Sequence, residues 1–282
     1  MRAENLQNRD KHDPLPLRLM PREALNAITV VLCDIDDTLT LNGRLVGNAF
    51  VALERLRLAG MAVVPVTGRP AGWCDHIARM WPVDGVVGEN GAFYFRHDDQ
   101  ATKMVRVYAQ SANERRHNRS RLEAIARDIL ARFRGTAIAA DQAYRDSDVA
   151  IDFREDVPAL PLAEAEAIRA AFEAEGAQAK VSSIHVNAWF GSHDKLTTAR
   201  RFLADVLRID VDVARAQIAY CGDSPNDAPM FAFFPNSVGV ANVLDFRAVI
   251  PQMPRYVTKA KGGEGFAELA SALIEARRGK AQ

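Results

Sequence analysis

Three cysteines in 282 residues are too few for a disulfide framework, and Cys33, Cys74 and Cys221 fit a reducing cytoplasm. There is no charge excess either. Lys+Arg and Asp+Glu are 36 each, so the balance marks neither a nucleic-acid footprint nor an anionic membrane partner. No apolar run approaches the ~20 residues of a membrane span. The stretch from Met1 to Arg22 is polar, charged and proline-containing, without the apolar core of a signal peptide. It is expected to be a loose extension, bounded at residues 1–28, rather than part of the fold. At 48% apolar residues, the remainder can build one large or two modest cores.

What is present is a pair of acidic clusters, each directly after a short apolar strand. Thr29-Val30-Val31-Leu32-Cys33 runs into Asp34-Ile35-Asp36-Asp37-Thr38. Side chains of extended chain repeat with period two, so Asp34 and Asp36 point the same way. Open α/β sheets hold their ligands at the carboxyl ends of strands, which is where this pair sits. Neighbouring acids raise one another's pKa unless a cation compensates, so the pair implies a metal ion and opens a phosphoryl-transfer reading. Gln217-Ile218-Ala219-Tyr220-Cys221 likewise runs into Gly222-Asp223-Ser224-Pro225-Asn226-Asp227. There Asp223, Asn226 and Asp227 supply hard oxygen ligands or their orienters, a set that suits Mg²⁺. Between the clusters lie Thr67-Gly68-Arg69, after the strand-like Met61 to Val66, and a lone Lys195.

The periodicity around these motifs predicts an α/β fold. Phe50, Leu53 and Leu56 recur at helical spacing before Gly60, and Trp73, Ile77 and Met80 mark a second helix face. Such β-α-β alternation gives a parallel, Rossmann-like sheet with right-handed crossovers. Pro65 sits awkwardly near the end of one strand. The character changes after residue 92. A capping-box pattern at Ser120 to Glu123 opens a helix, two short strands follow near 136–139 and 149–153, and the unit repeats with a helix from Leu162 and strands near 177–181 and 184–189. The expected organisation is a catalytic core of residues 29–92 and 190–282, with residues 93–189 inserted as an α+β cap of duplicated α-β-β design. Lys261-Gly262-Gly263-Glu264-Gly265 reads as a turn before a terminal helix.

In order and in context, the four motifs resemble those of the haloacid dehalogenase superfamily of phosphatases. Its aspartate pair, Ser/Thr, Lys and closing acidic loop match Asp34/Asp36, Thr67, Lys195 and Asp223/Asp227. Glu89-Asn90-Gly91-Ala92 is similar to a segment typical of subclass IIB, which includes sugar-phosphate phosphatases. The resemblance spans roughly residues 29 to 270. Asp37 departs from it, since the family commonly has Gly there.

The resemblance implies that Asp34 is the nucleophile, forming an aspartyl-phosphate, and that Asp36 is the general acid–base. Metal is then held by Asp34 and Asp223 and by the backbone carbonyl of Asp36, with Asp227 counted in the metal centre or positioning Lys195. Lys195 stands at a helix start, where the macrodipole disfavours a cation, and neutralising a transferring phosphoryl group would account for it. Thr67 and Gly68 are candidate phosphate contacts, as are Asn90 and Asn226 for substrate. Arg69 reads equally as a phosphate contact or a structural ion pair. His185 and Asn187 share one strand face, Asp152 and Arg154 another, and these faces suit a solvated sheet as well as a sugar-binding one. The expected function is a cytoplasmic, Mg²⁺-dependent phosphatase acting on a small phosphorylated metabolite, a sugar phosphate or glycosyl-glycerate phosphate. Its rivals are a phosphomutase like phosphomannomutase and a non-catalytic binding or regulatory protein on the same scaffold.

Overall fold

A computed structural model of the chain describes residues 13–278. The first elements are β1 (Leu15–Pro16), α1 (Arg22–Ala27), β2 (Val30–Cys33), the hairpin β3 (Thr40–Leu41) and β4 (Arg44–Leu45), and α2 (Gly47–Leu58). Helix α2 buries Ala49, Ala52, Leu53 and Leu56, and the chain leaves it through Gly60 at φ +76°, a left-handed position that suits glycine. Then come β5 (Ala62–Pro65), α3 (Ala71–Met80), β6 (Val86–Gly88), β7 (Phe93–Asp98) and β8 (Lys103–Tyr108). Just past β5 the Val66 N–H donates to the Cys33 carbonyl. By alternation the Pro65 nitrogen faces the β6 side, between Val63, whose N–H donates to the Asp84 carboxylate, and Thr67, whose N–H donates to Val87, so it interrupts no pair with β2.

The next segment contains α4 (Ala112–Arg132), β9 (Ala137–Ile138), β10 (Val149–Asp152), α5 (Leu162–Ala174), β11 (Gln178–Val181) and β12 (His185–Trp189). Its four strands pair antiparallel in the order β11-β12-β10-β9. Alternation sends Val149, Ile151, Val186 and Ala188 to one face, where α4 and α5 cover them with Leu122, Ile129, Ile168 and Phe172. Helix α4 begins a full two turns before the expected capping box. Its N-cap is Ser111, boxed with Glu114, and Ser120 lies mid-helix.

The chain then returns through α6 (Lys195–Asp205), α7 (Val211–Ala214), β13 (Ile218–Gly222), α8 (Ala228–Phe233), β14 (Asn236–Gly239), β15 (Tyr256–Val257) and α9 (Gly262–Arg278). The core sheet runs β1-β15-β14-β13-β2-β5, and every pair in it is parallel. Two apolar layers sandwich it, one centred on α2, α3 and α9, the other on α6 and α8. Strand order reverses between β2 and β13, and a crevice at their carboxyl ends follows from that topology.

Two boundaries differ from expectation. Within residues 13–28, β1 is the sheet's edge strand, Leu17 and Met20 are buried, and α1 packs on α9; only residues 1–12 of the expected extension lie outside the described residues. Likewise β7 pairs with β6 and β8 with β7, and Phe93 and Phe95 stack within the core at 4.2 Å, so residues 93–108 pack with the core ahead of α4, whose N-cap is Ser111.

Candidate active site

Cys33 and Cys221 are register partners on β2 and β13, both reduced and buried, so the turns that follow them leave the sheet side by side. The Asp34 N–H donates to the Cys221 carbonyl at 2.9 Å, tying the two turns together. One oxygen from each of Asp34, Asp223 and Asp227 then falls within 4.8 Å of the others. Lys195 enters from the start of α6 and puts its Nζ 3.1 Å from Asp34 and 2.8 Å from Asp227. Asp194 caps that helix by accepting from the Thr197 N–H at 2.6 Å.

The electrostatics of this cluster are unbalanced. One ammonium faces three carboxylates away from water. Burial pushes Asp34 up to about 7; Lys195 opposes this, while Asp227 and Asp36 add to it. Asp223 is pushed well up by burial and then by Asp227 and Asp34. Burial works against the Lys195 ammonium too, but Asp227 and Asp34 outweigh it and raise its pKa. A second positive charge held by hard oxygens would relieve the clash, and the donor set fits a small divalent cation.

The three acids are not equivalent. Asp227 is saturated: Oδ1 accepts from Lys195 and from the Tyr220 hydroxyl at 2.5 Å, and Oδ2 from the backbone N–H of Asp223 and Ser224. It therefore positions Lys195 and the acidic turn rather than offering a free ligand. Among the described residues, Asp223 accepts from Thr38 and Asn242, and Asp34 from the Ile35 N–H besides Lys195. Asp36 has turned its carboxylate out of the cluster. Arg69 Nε donates to both of its oxygens at 2.9 Å, so only the Asp36 backbone is left for the metal side.

Arg69 forms ion pairs in this structure. Its guanidinium is 3% exposed and also reaches Asp141 at 3.3 Å and Glu155 at 2.6 Å, so one core cation bridges two cap acids. Thr67 is buried, and its Oγ1 accepts from the Arg69 N–H at 3.0 Å, shaping the turn. Gly68 leaves the turn open: a Cβ there would come within 3.1 Å of the Asn90 amide.

The segment from Glu89 to Ala92 joins three parts of the site. Glu89 is buried, and its carboxylate accepts four backbone N–H groups: Ala71 and Asp146 on Oε1, Ser147 and Asp148 on Oε2. Burial and the neighbouring Asp148 push its pKa up, to about 8, yet every partner is an N–H donor, so the ionised form is the one the geometry satisfies. The Asn90 N–H donates to Thr67, and its buried side-chain amide has no partner of its own. Gly91 sits at φ +101°, and a Cβ there would lie 2.0 Å from the Asp194 carbonyl, so only glycine lets α6 approach.

The cap faces are not solvated. Asp152, His185 and Asn187 are all buried, and Asp152 and Asn187 hydrogen-bond within the protein. Asp152 accepts from the backbone N–H of Arg154, Glu155 and Asp156. His185 Nε2 lies 3.0 Å from Glu155, and Asn187 donates to Asp148 at 3.0 Å. Asn226 accepts from the Ser224 hydroxyl. Arg154 alone of the four cap residues is exposed, lining a groove of about 440 Å³ with Asp37, Ser183 and Asn242. Asp37 stands at φ +54°, which explains a glycine preference there; its N–H donates to Thr40 and its carbonyl accepts from Asn242.

Sequence reading missed Tyr220, the Glu89 clamp and the buried Arg145, which binds Asp141, Asp148 and the Gly68 carbonyl. Tyr220 alternates onto the face of β13 opposite Cys221, a cue that was available. Nothing periodic marks Arg145-Asp146-Ser147-Asp148.

Residues 31–119 match the family of haloacid dehalogenase-like hydrolases. No curated protein gives a significant match. Among solved structures, the C-terminal domain of Candida albicans trehalose-6-phosphate phosphatase is similar, with a TM-score of 0.69 at 13% identity over 94% of this chain and 98% of that one. A Thermoplasma acidophilum protein gives 0.65 at 17% identity, covering 88% and 99%. The sucrose-phosphatase of Synechocystis sp. PCC6803, solved with sucrose and phosphate, gives 0.60 at 17%, covering 86% and 97%. At these identities the likeness is one of fold.

Proposed function

We propose that this haloacid dehalogenase-like hydrolase is a Mg²⁺-dependent phosphatase of a small phosphorylated metabolite, with a sugar phosphate the favoured class. The observation that carries the reading is the buried Asp34 carboxylate at a strand end, 3.1 Å from Lys195 and beside Asp223. Asp34 would attack phosphorus as the ester P–O bond breaks, giving an aspartyl-phosphate. Asp36, in its protonated form, gives its proton to the leaving oxygen. It later takes a proton from the water that attacks phosphorus, breaks the bond to Asp34 and frees inorganic phosphate. Arg69 Nε donates to both Asp36 oxygens here, so donation by Asp36 requires Arg69 to lean onto its other partners, Asp141 and Glu155. Thr67, Gly68 and Asn90 line the phosphoryl position, and Lys195 offsets its charge. Mg²⁺, held by Asp34, Asp223 and the Asp36 backbone, would supply charge neutralisation at the phosphoryl oxygens. Three unpaired cysteines suit the cytoplasm as its location.

The test is release of inorganic phosphate from p-nitrophenyl phosphate with Mg²⁺ and with chelator. Turnover should vanish with chelator and in Asp34→Asn, whose amide neither attacks phosphorus nor balances a cation. Activity that ignores both changes overturns the assignment.

A further inference from the structure

We propose that a groove walled by aromatic rings beside Asp36 is the subsite for the leaving group, and that it receives a carbohydrate ring stacked by its C–H face on Trp73 and Tyr144. The proposal rests on the phosphatase reading and extends it to a place for the alcohol. The gap directly above Asp34, roofed by the cap turn Ser182 to His185, holds only about 10 Å³, so the alcohol has to lie elsewhere. Asp36 and Arg69 border that gap and also a groove of about 480 Å³ on the α3 side, so an oxygen leaving phosphorus beside Asp36 emerges into it. That size lies within the ~300–1,000 Å³ range of small-molecule sites.

The groove walls come from both domains. Trp73, on α3, is 43% exposed, and Tyr144, from the cap, is 59% exposed; Leu45, Ile77 and Trp81 deepen the floor. Helical spacing put Trp73 with Ile77 on an inward face, but the buried face of α3 is Ala71, Cys74, Ile77 and Ala78. Trp73 is turned outward into the groove. It is not loose there: the Arg69 guanidinium packs over the indole at 4.4 Å, fixing its plane through a cation–π contact. Tyr144 lies tightly against α3 at Gly72, where a Cβ would stand 3.0 Å from the Tyr144 Cβ and push the ring away by a few tenths of an ångström. Thus two exposed rings, each held in place, face one concavity that opens on the proposed acid–base residue.

The chemistry of the wall selects the occupant. Beyond Asp36 and Arg69, the polar groups offered are those of His76 and Thr40, with the Tyr144 hydroxyl and the indole N–H groups at the ring edges. A linear polyol, which needs partners on all sides, gains little here. A pyranose presents an apolar C–H face to an aromatic ring and keeps its hydroxyls at the rim. The groove across Arg69 has one ring, Phe246, among the charged and polar side chains of Asp37, Arg154, Glu155, Asp245 and Lys261, and so offers no facing pair of rings. Of the cap-strand groups expected to read the sugar, Asp152 and Asn187 hydrogen-bond within the protein and His185 Nε2 lies 3.0 Å from Glu155.

The experiment uses the full chain with Mg²⁺ and measures kcat/KM for glucose 6-phosphate, trehalose 6-phosphate, phenyl phosphate and glycerol 3-phosphate. Trp73→Ala and Tyr144→Ala should each lower kcat/KM for the better sugar ester about fivefold to tenfold, the scale of one stacked ring, and change glycerol 3-phosphate less than twofold. Gly72→Ala, which favours the helix and so preserves folding, should displace Tyr144 and give the same selective loss. A parallel titration follows tryptophan fluorescence with the sugar esters in wild type and Trp73→Phe. A saturable change that disappears in Trp73→Phe supports the subsite even if no ester is hydrolysed, an outcome that would refute the phosphatase reading alone. Equal losses on glycerol 3-phosphate, a loss confined to phenyl phosphate, or no Trp73-dependent fluorescence change overturns the proposal.

Discussion

Replacing Glu89 with Gln should loosen the cap from the core without touching the proposed chemistry. The wild-type carboxylate accepts the Ala71, Asp146, Ser147 and Asp148 N–H groups at 2.6 to 3.1 Å. Ala71 opens α3, so the charge also faces a helix N-terminus. An amide keeps one oxygen, and hence two acceptor contacts, but presents an NH₂ group to the other two donors. Hydrogen bonds to a charged group contribute about 1.5–3 kcal/mol each, so losing two costs about 3–6 kcal/mol. A neutral side chain is easier to bury, which brings the net cost to roughly 2–4 kcal/mol. Urea unfolding should show that loss. Amide exchange should localise it, with Asp146, Ser147 and Asp148 exchanging about thirtyfold to several-hundredfold faster through local opening. A stability change below about 0.5 kcal/mol, with those three amides as protected as before, would refute the clamp.

Gly91→Ala sets a Cβ 2.0 Å from the Asp194 carbonyl at φ +101°, and should cost more than about 3 kcal/mol by thermal denaturation. If the protein still folds, kcat should fall more than KM rises, because Lys195 is displaced. Tyr220→Phe removes the hydroxyl that donates to Asp227, and should lower stability by about 1–3 kcal/mol in urea; an unchanged midpoint would mean Lys195 and the backbone satisfy Asp227 alone. His193 is buried against Trp189, and burial lowers its pKa to about 4 despite Asp194. Above pH 6.5 it is neutral in both folded and unfolded chains. Between pH 6.5 and 4 the unfolded chain takes up the proton first, so stability should fall by up to about 3 kcal/mol and then level off. His193→Asn should flatten that slope of urea midpoint against pH, and an equally steep slope in the variant would assign it to other groups.

Much of the site was legible because its logic is local. An apolar strand followed by an acidic turn places its carboxylate at a sheet's carboxyl edge, and right-handed β-α-β crossovers bring two such strands together. Asp34, Asp223 and Lys195 meet for those reasons, and Cys33 and Cys221 pair across the strands. The cap was readable from period two and period 3.6 in alternating blocks. Other features carried no local signal. A two-residue edge strand such as β1 has no period, and whether β7 and β8 belong to core or cap is decided by Phe93 and Phe95 finding the apolar layer of α2 and α3.

What the sequence by itself determined, then, is the order of strands and helices and the residues at strand ends, since backbone alternation and turn chemistry act over a few positions. Tertiary structure alone decided who pairs with whom among the charges. Nothing near Arg69 in the sequence says that it reaches three acids, two of them on the cap. Glu89 could have been solvated, and it became the acceptor for three cap amides. A helical stripe could not say that Trp73 faces outward, because that depends on a cap tyrosine arriving over Gly72. Ion pairs and grooves between domains join residues far apart along the chain, and burial then makes each such pairing strong, so they follow from packing and not from spacing.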